Sequence, residues 1–169
     1  MPFFGGVARM RSEAECPADT FLDRPLNDRY WRLALPEGTT PDHPMANPFG
    51  PGAPPLDVVE FAPTLVVVDG RDLLHDRAVD YAAKLRAARK PVVVRDFHGQ
   101  QHGFFTIDPW SDASAELMRV IKRFVEAVAE GRGRRRGGGA HGGRWMREPA
   151  SQVRDERDGI RRGQTQSEN

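Results

Sequence analysis

Asp72 and His102 are the two residues whose types and placement would support acid–base chemistry together. Asp72 lies in "DGRDLLHDRA" (Asp69–Ala78), two residues beyond Gly70, and His102 lies in the polar stretch "DFHGQQHGFFTIDPW" (Asp96–Trp110). A carboxylate that accepts the Nδ1 proton of an imidazole fixes its tautomer and stabilises the imidazolium formed when the other ring nitrogen takes up a proton. Taken singly, each has a plainer reading. Asp72 alone suits a cap for the helix after it, and His102 alone suits a solvated loop. Asp69 and Asp76 are competing acids, read as a turn former and a first-turn charge. His43, His75 and His98 read as solvated loop or helix-surface histidines. His98 and His102 are four residues apart, but Gly99 and Gly103 and the lack of an acidic ligand do not match a helical zinc motif.

The case for the pair rests on the elements that must carry it. "TLVVVDG" (Thr64–Gly70) is a short, continuous β-branched run, the pattern of a strand covered on both faces in a parallel sheet. "RAVDYAAKLRAAR" follows, with Ala78, Tyr81, Ala82, Leu85 and Ala88 at helical spacing. Pro91 ends that helix and opens "PVVVRDF", a second strand. Strand, helix and strand make one βαβ unit. Both strands then release their loops at the same carboxyl-terminal edge, where α/β proteins place their sites. Asp72 follows the first strand and His102 the second, so the two can meet.

Beyond the histidine loop, "PWSDASAELMRVIKRFVEAVAEG" reads as an amphipathic helix. Ser111 or Asp112 is its cap, and Leu117, Val120, Ile121, Phe124 and Val128 are its apolar stripe. Gly131 is placed to stop it. "LNDRYWRLALPEG" is expected to hold a short helix through Tyr30, Trp31, Leu33 and Leu35. The proline-dense "TTPDHPMANPFGPGAPPLDVVEFAP" must be an extended, turn-rich connector.

Composition bounds the function classes. The 169 residues give room for one domain, and a net charge of +1 favours neither a nucleic-acid nor an acidic-ligand binder. Cys16 is the only cysteine, which excludes an internal disulfide and favours a reducing compartment. No run approaches the roughly 18 apolar residues of a membrane span, and "MPFFGGVARM" lacks the pattern of a signal peptide. The expectation is a soluble, cytoplasmic protein without a membrane partner. Residues 131–169 have no leucine, phenylalanine, tyrosine or lysine and read as a disordered Arg/Gly-rich tail. "GRGRRRGGG" within it would suit a flexible RNA-binding arm, although a solvated tail is the plainer reading and nucleic acid is not an expected partner. No phosphate-binding glycine loop occurs.

"LVVVDGRDLLHDRAVDYAAKL", "FHGQQHGFFTIDP", "WRLALPEGTTPDHPMANPFGP" and "PFFGG" together resemble the carboxyl-terminal half of the plant carboxylesterases. These form part of the hormone-sensitive-lipase-like branch of the α/β-hydrolase fold, and the resemblance covers nearly all of residues 2–129. It implies a partial α/β-hydrolase fold over residues 1–130, with Thr64–Val68 and Val92–Phe97 as the last two parallel strands and Ala113–Glu130 as the closing helix. It further implies that Asp72 is the triad acid and His102 the triad base, acting without a cofactor on a small-molecule ester. "FFGG" would mark the end of the strand before these two.

The family's nucleophile stands in G-x-S-x-G, and its oxyanion loop is His-Gly-Gly-Gly. None of Ser12, Ser111, Ser114, Ser151 and Ser167 lies between glycines, and "HGG" at His141–Gly143 falls in the tail. The simplest expectation is that Met1 begins a chain truncated at its amino end and inactive alone. The alternative is a non-catalytic hormone- or small-molecule-binding pseudoenzyme related to the gibberellin receptor, a relative that has lost the triad histidine.

Overall fold

The computed structural model describes residues 1–136. The predicted tail from residue 137 onward lies outside the described residues. The first compact unit of the chain is Met1–Arg132, and the helix stripe, the strands and the candidate site residues all belong to it.

Two parallel strands form the sheet, β1 (Thr64–Asp69) and β2 (Val92–Phe97), registered from Thr64 opposite Val92 to Asp69 opposite Phe97. The β-branched runs choose strand geometry because branched side chains pack well on a pleated surface. Both strands run as expected, β1 ending one residue later, at Asp69. "FFGG" adds no strand. The Gly5 amide donates to the Ala46 carbonyl at 2.9 Å, so it bonds to the connector rather than to β1.

Successive side chains of β1 serve opposite faces, as strand geometry requires. Val66 and Val68 pack with Ala78 and Ala82 of the crossover helix α3 (His75–Ala87), while Val67 packs with Phe104 and Leu117 on the other side. The small alanines of α3 let helix and strand approach closely. β1 is therefore buried on both faces, and β2 is only half-buried. α3 closes in a Schellman turn: Lys90 N–H reaches the Leu85 carbonyl and Arg89 takes the left-handed conformation at φ 55°.

The flanking helices are α1 (Arg11–Ala14), α2 (Arg24–Ala34), the one-turn α4 (Phe104–Ile107) and α5 (Asp112–Arg136). α2 begins earlier than the apolar pattern predicts, because the Asp23 carboxylate accepts from Leu26 N–H at 2.8 Å and Pro25 suits the first turn. Ser111 caps α5, its hydroxyl accepting from Ser114 N–H at 3.2 Å. α5 does not stop at Gly131. Arginine is a good helix former, and the helix carries on through two glycines to Arg136. The apolar stripe is covered only at its start. Leu117 and Val120 are buried, Phe124 and Val128 are half-buried, and Ile121 is exposed, since a two-stranded sheet is too narrow to cover the rest. The connector after α2 is a succession of turns with one short 3₁₀ turn at Leu56–Val58, as its prolines dictate. No helix among the described residues is long and apolar enough to cross a membrane.

Candidate active site

Two loops leave the same edge of the sheet and are tied to each other. Arg71 N–H donates to the Gln100 carbonyl at 2.8 Å, and Gly70 N–H to the Phe97 carbonyl at 3.3 Å. A Cβ at position 70 would lie 3.0 Å from the Gly99 amide nitrogen, so glycine there lets the loops close up. Beneath the first loop, Leu73 and Leu74 are fully buried against Leu22. Beneath the second, Phe104 is buried against Val67 and Leu117, and Gly103 takes φ 69° to turn the chain from His102 into α4.

This framework brings the carboxylate of Asp72 to the imidazole of His102. Nδ1 of His102 lies 2.8 Å from Oδ2 of Asp72. The other carboxylate oxygen, Oδ1, accepts from the Leu74 N–H at 2.8 Å. Asp72 is thus not the cap of α3, whose N-cap is Leu74 with no side-chain cap: one carboxylate oxygen braces the turn before the helix and the other faces the histidine. The carboxylate is buried and fixed in rotation, and the imidazole is 18% exposed. Phe3 packs edge-on against the ring, with centroids 5.7 Å apart. Nε2 of His102 has no hydrogen bond among the described residues. The pair is thus a braced acid and an imidazole with one nitrogen directed at the acid and the other open.

The remaining sequence candidates go elsewhere. Asp76 accepts from Ser12 N–H at 2.8 Å and anchors α1. A ring nitrogen of His75 meets the Asp69 carbonyl, and that of His43 accepts from Met45 N–H. His98 is 90% exposed, 3.6 Å from Asp96. A groove of about 400 Å³ between β2 and α5, lined by Arg95, Asp96, His98, Glu116 and Arg123 among others, includes neither Asp72 nor His102.

Asp69 has a larger part than a turn former. Its side chain is fully buried at the end of β1, and neither carboxylate oxygen has a hydrogen-bond partner. Burial, reinforced by the neighbouring charge of Asp72, pushes its pKa up from 3.8 to about 7. The amino group of Met1 lies in the field of the same two carboxylates, and burial lowers its pKa from 8.0. Asp69, Asp72 and His102 each offer a ligand atom, all within 4.8 Å of one another.

Arg77, which local sequence pattern does not mark as a candidate, also organises the surroundings of the pair. Its guanidinium is buried, pairs with Glu13 at 2.7 Å and donates to the carbonyls of Gly5 and Ala8, each at 2.8 Å. These bonds hold the segment that carries Phe3. Its position, three residues after Leu74 and four before Tyr81, puts it on the inward face of α3.

Comparison with known proteins identifies the fold and the family. A family model described as the alpha/beta hydrolase fold matches residues 2–106. The gibberellin receptor GID1C of Arabidopsis thaliana is 36% identical over 129 residues, covering 76% of this chain and 37% of the receptor. Probable carboxylesterase 11 of the same plant is 36% identical over 132 residues, covering 73% of this chain and 28% of that protein. Among solved structures, the thermostable carboxylesterase EstE1 from a metagenomic library superposes with a TM-score of 0.61 at 25% identity, covering 76% of this chain and 42% of EstE1. The chain spans little more than a third of the length of the curated relatives it matches. On the parallel sheet, the crossover helix and the family match over residues 2–106, the chain belongs to the hormone-sensitive-lipase-like α/β-hydrolase family.

Proposed function

We propose that Asp72 and His102 are the acid and base of a carboxylic ester hydrolase, and that this chain is the part of a serine carboxylesterase that carries them. The observation behind this reading is the 2.8 Å contact between Nδ1 of His102 and the braced carboxylate of Asp72. In the reaction, Nε2 of His102 removes the proton of a serine hydroxyl as its oxygen attacks the ester carbonyl. The resulting imidazolium is stabilised by Asp72 and returns the proton to the leaving alcohol; water then repeats the sequence on the acyl-enzyme. None of the five serines stands in G-x-S-x-G. On this reading the nucleophile and oxyanion donors are supplied to the pair by another segment, and the 169-residue chain alone turns over little ester, because triad groups act as a unit.

A second reading is a small-molecule-binding protein, favoured by the 36% identity to the gibberellin receptors. A binder has no need of an imidazole braced by a buried carboxylate, which is why the hydrolase reading is preferred. Labelling by a fluorophosphonate separates the two. The chain joined to a segment bearing G-x-S-x-G becomes covalently phosphonylated on serine if it is an esterase. Absence of labelling in a folded, complete protein would contradict the esterase reading.

A further inference from the structure

We infer that Asp69, Asp72 and His102 form a binding site for a divalent transition-metal ion of the zinc type. The cluster holds two carboxylates and one imidazole, the oxygen and nitrogen donors that zinc accepts. Their ligand atoms lie within 4.8 Å of one another. Donors on one tetrahedral zinc stand ~3.4 Å apart, so the site closes with side-chain movement on the order of an ångström.

Asp69 gives the independent indication. Its carboxylate is completely buried and aimed into this cluster, yet neither oxygen has a partner, although a buried polar atom is ordinarily satisfied. The Met1 amino group is nearby but does not come within hydrogen-bonding reach of those oxygens. A cation held there would satisfy Asp69 and balance a site with more carboxylates than bases. The outer contacts are also in place: Leu74 N–H holds Asp72 Oδ1, and the loops bearing the donors are joined through Arg71 and Gln100.

Nδ1 is the ring nitrogen that faces Asp72. A neutral imidazole carries one N–H, so zinc on Nδ1 leaves that proton on Nε2 and removes the lone pair there. The consequence for catalysis rests on the esterase reading: zinc reversibly silences His102 as a base, and chelation restores it. Binding itself does not depend on that reading.

Calorimetric titration of the full chain with zinc tests the site, with cobalt absorption reporting ligand type. The expectation is one ion per chain, with affinity at least tenfold weaker in Asp69→Asn and in His102→Ala and unchanged in His98→Ala. No zinc bound by the wild type, equal affinity in Asp69→Asn, or loss in His98→Ala would overturn the site. If Asp69→Asn fails to fold, a ¹⁵N spectrum of the wild type decides. Zinc must shift the His102 Nδ1 resonance, and a shift confined to other histidines contradicts the proposal. Because no substrate is involved, a failed zinc site and a failed esterase assignment remain distinguishable.

Discussion

Gly70 and Gly99 meet so closely that a Cβ on Gly70 would stand 3.0 Å from the Gly99 amide nitrogen. This contact sets the spacing between the loop that carries Asp72 and the loop that carries His102. Gly70→Val should therefore push the loops apart, at a cost of about 1–3 kcal/mol in stability from overpacking. The check is the exchange rate of the His102 ring N–H proton by NMR. Faster exchange in the variant is expected, and unchanged exchange would mean that Gly70 does not set the spacing.

Asp72→Asn keeps an oxygen for the Leu74 N–H but offers an amide where the imidazole needs an acceptor. The ring should then change tautomer. In ¹⁵N spectra the proton is expected on Nδ1 in the wild type and on Nε2 in the variant. In a complete hydrolase, turnover should fall by roughly 10⁴-fold. The same tautomer in both proteins would remove the orienting role from Asp72.

The buried carboxyl of Asp69 gives a pH dependence whose sign is fixed. Its folded pKa is raised from 3.8 to about 7, by burial first and by Asp72 next; Asp96 adds to the rise, while His102 and the Met1 amino group oppose it. A group that holds its proton more tightly when folded stabilises the fold at low pH and loses that contribution as pH rises through the folded value. Metal-free wild type should thus lose stability relative to Asp69→Asn between about pH 4 and pH 7. Amide hydrogen-exchange protection factors of the β1 residues in both proteins, measured across this range, test this. A difference that does not vary with pH would contradict it.

β1 pairs only with β2 among the described residues, and much of the α5 stripe is uncovered. A two-stranded sheet is marginal, and an open apolar edge favours association. The isolated chain should melt without a sharp transition when dilute and should self-associate as its concentration rises. Light scattering and calorimetry together test this. A cooperative transition in dilute, monomeric protein would contradict it.

The strands and the Asp72–His102 meeting point were legible because β-branched runs and a parallel crossover leave few alternatives. Val66–Val68 could hardly be anything but a covered strand. The residues that pack around the pair were not legible, because their partners are distant in sequence. Arg77 and Glu13 are 64 residues apart, and Phe3 reaches His102 across 99. Asp69 was read from its local turn propensity, whereas its burial depends on how β1 is covered. Gly131 was read as a helix stop from a terminal preference that flanking arginines override. The Asp23 cap and Pro25 were readable signals, passed over because the apolar pattern of α2 begins only after them.

The most direct test of the central assignment is hydrolysis of a short-chain nitrophenyl ester by this chain completed with a segment bearing the serine. His102→Ala should lower turnover by roughly four orders of magnitude or more while His98→Ala leaves it unchanged. Turnover that survives in His102→Ala would show that the imidazole at position 102 is not the base.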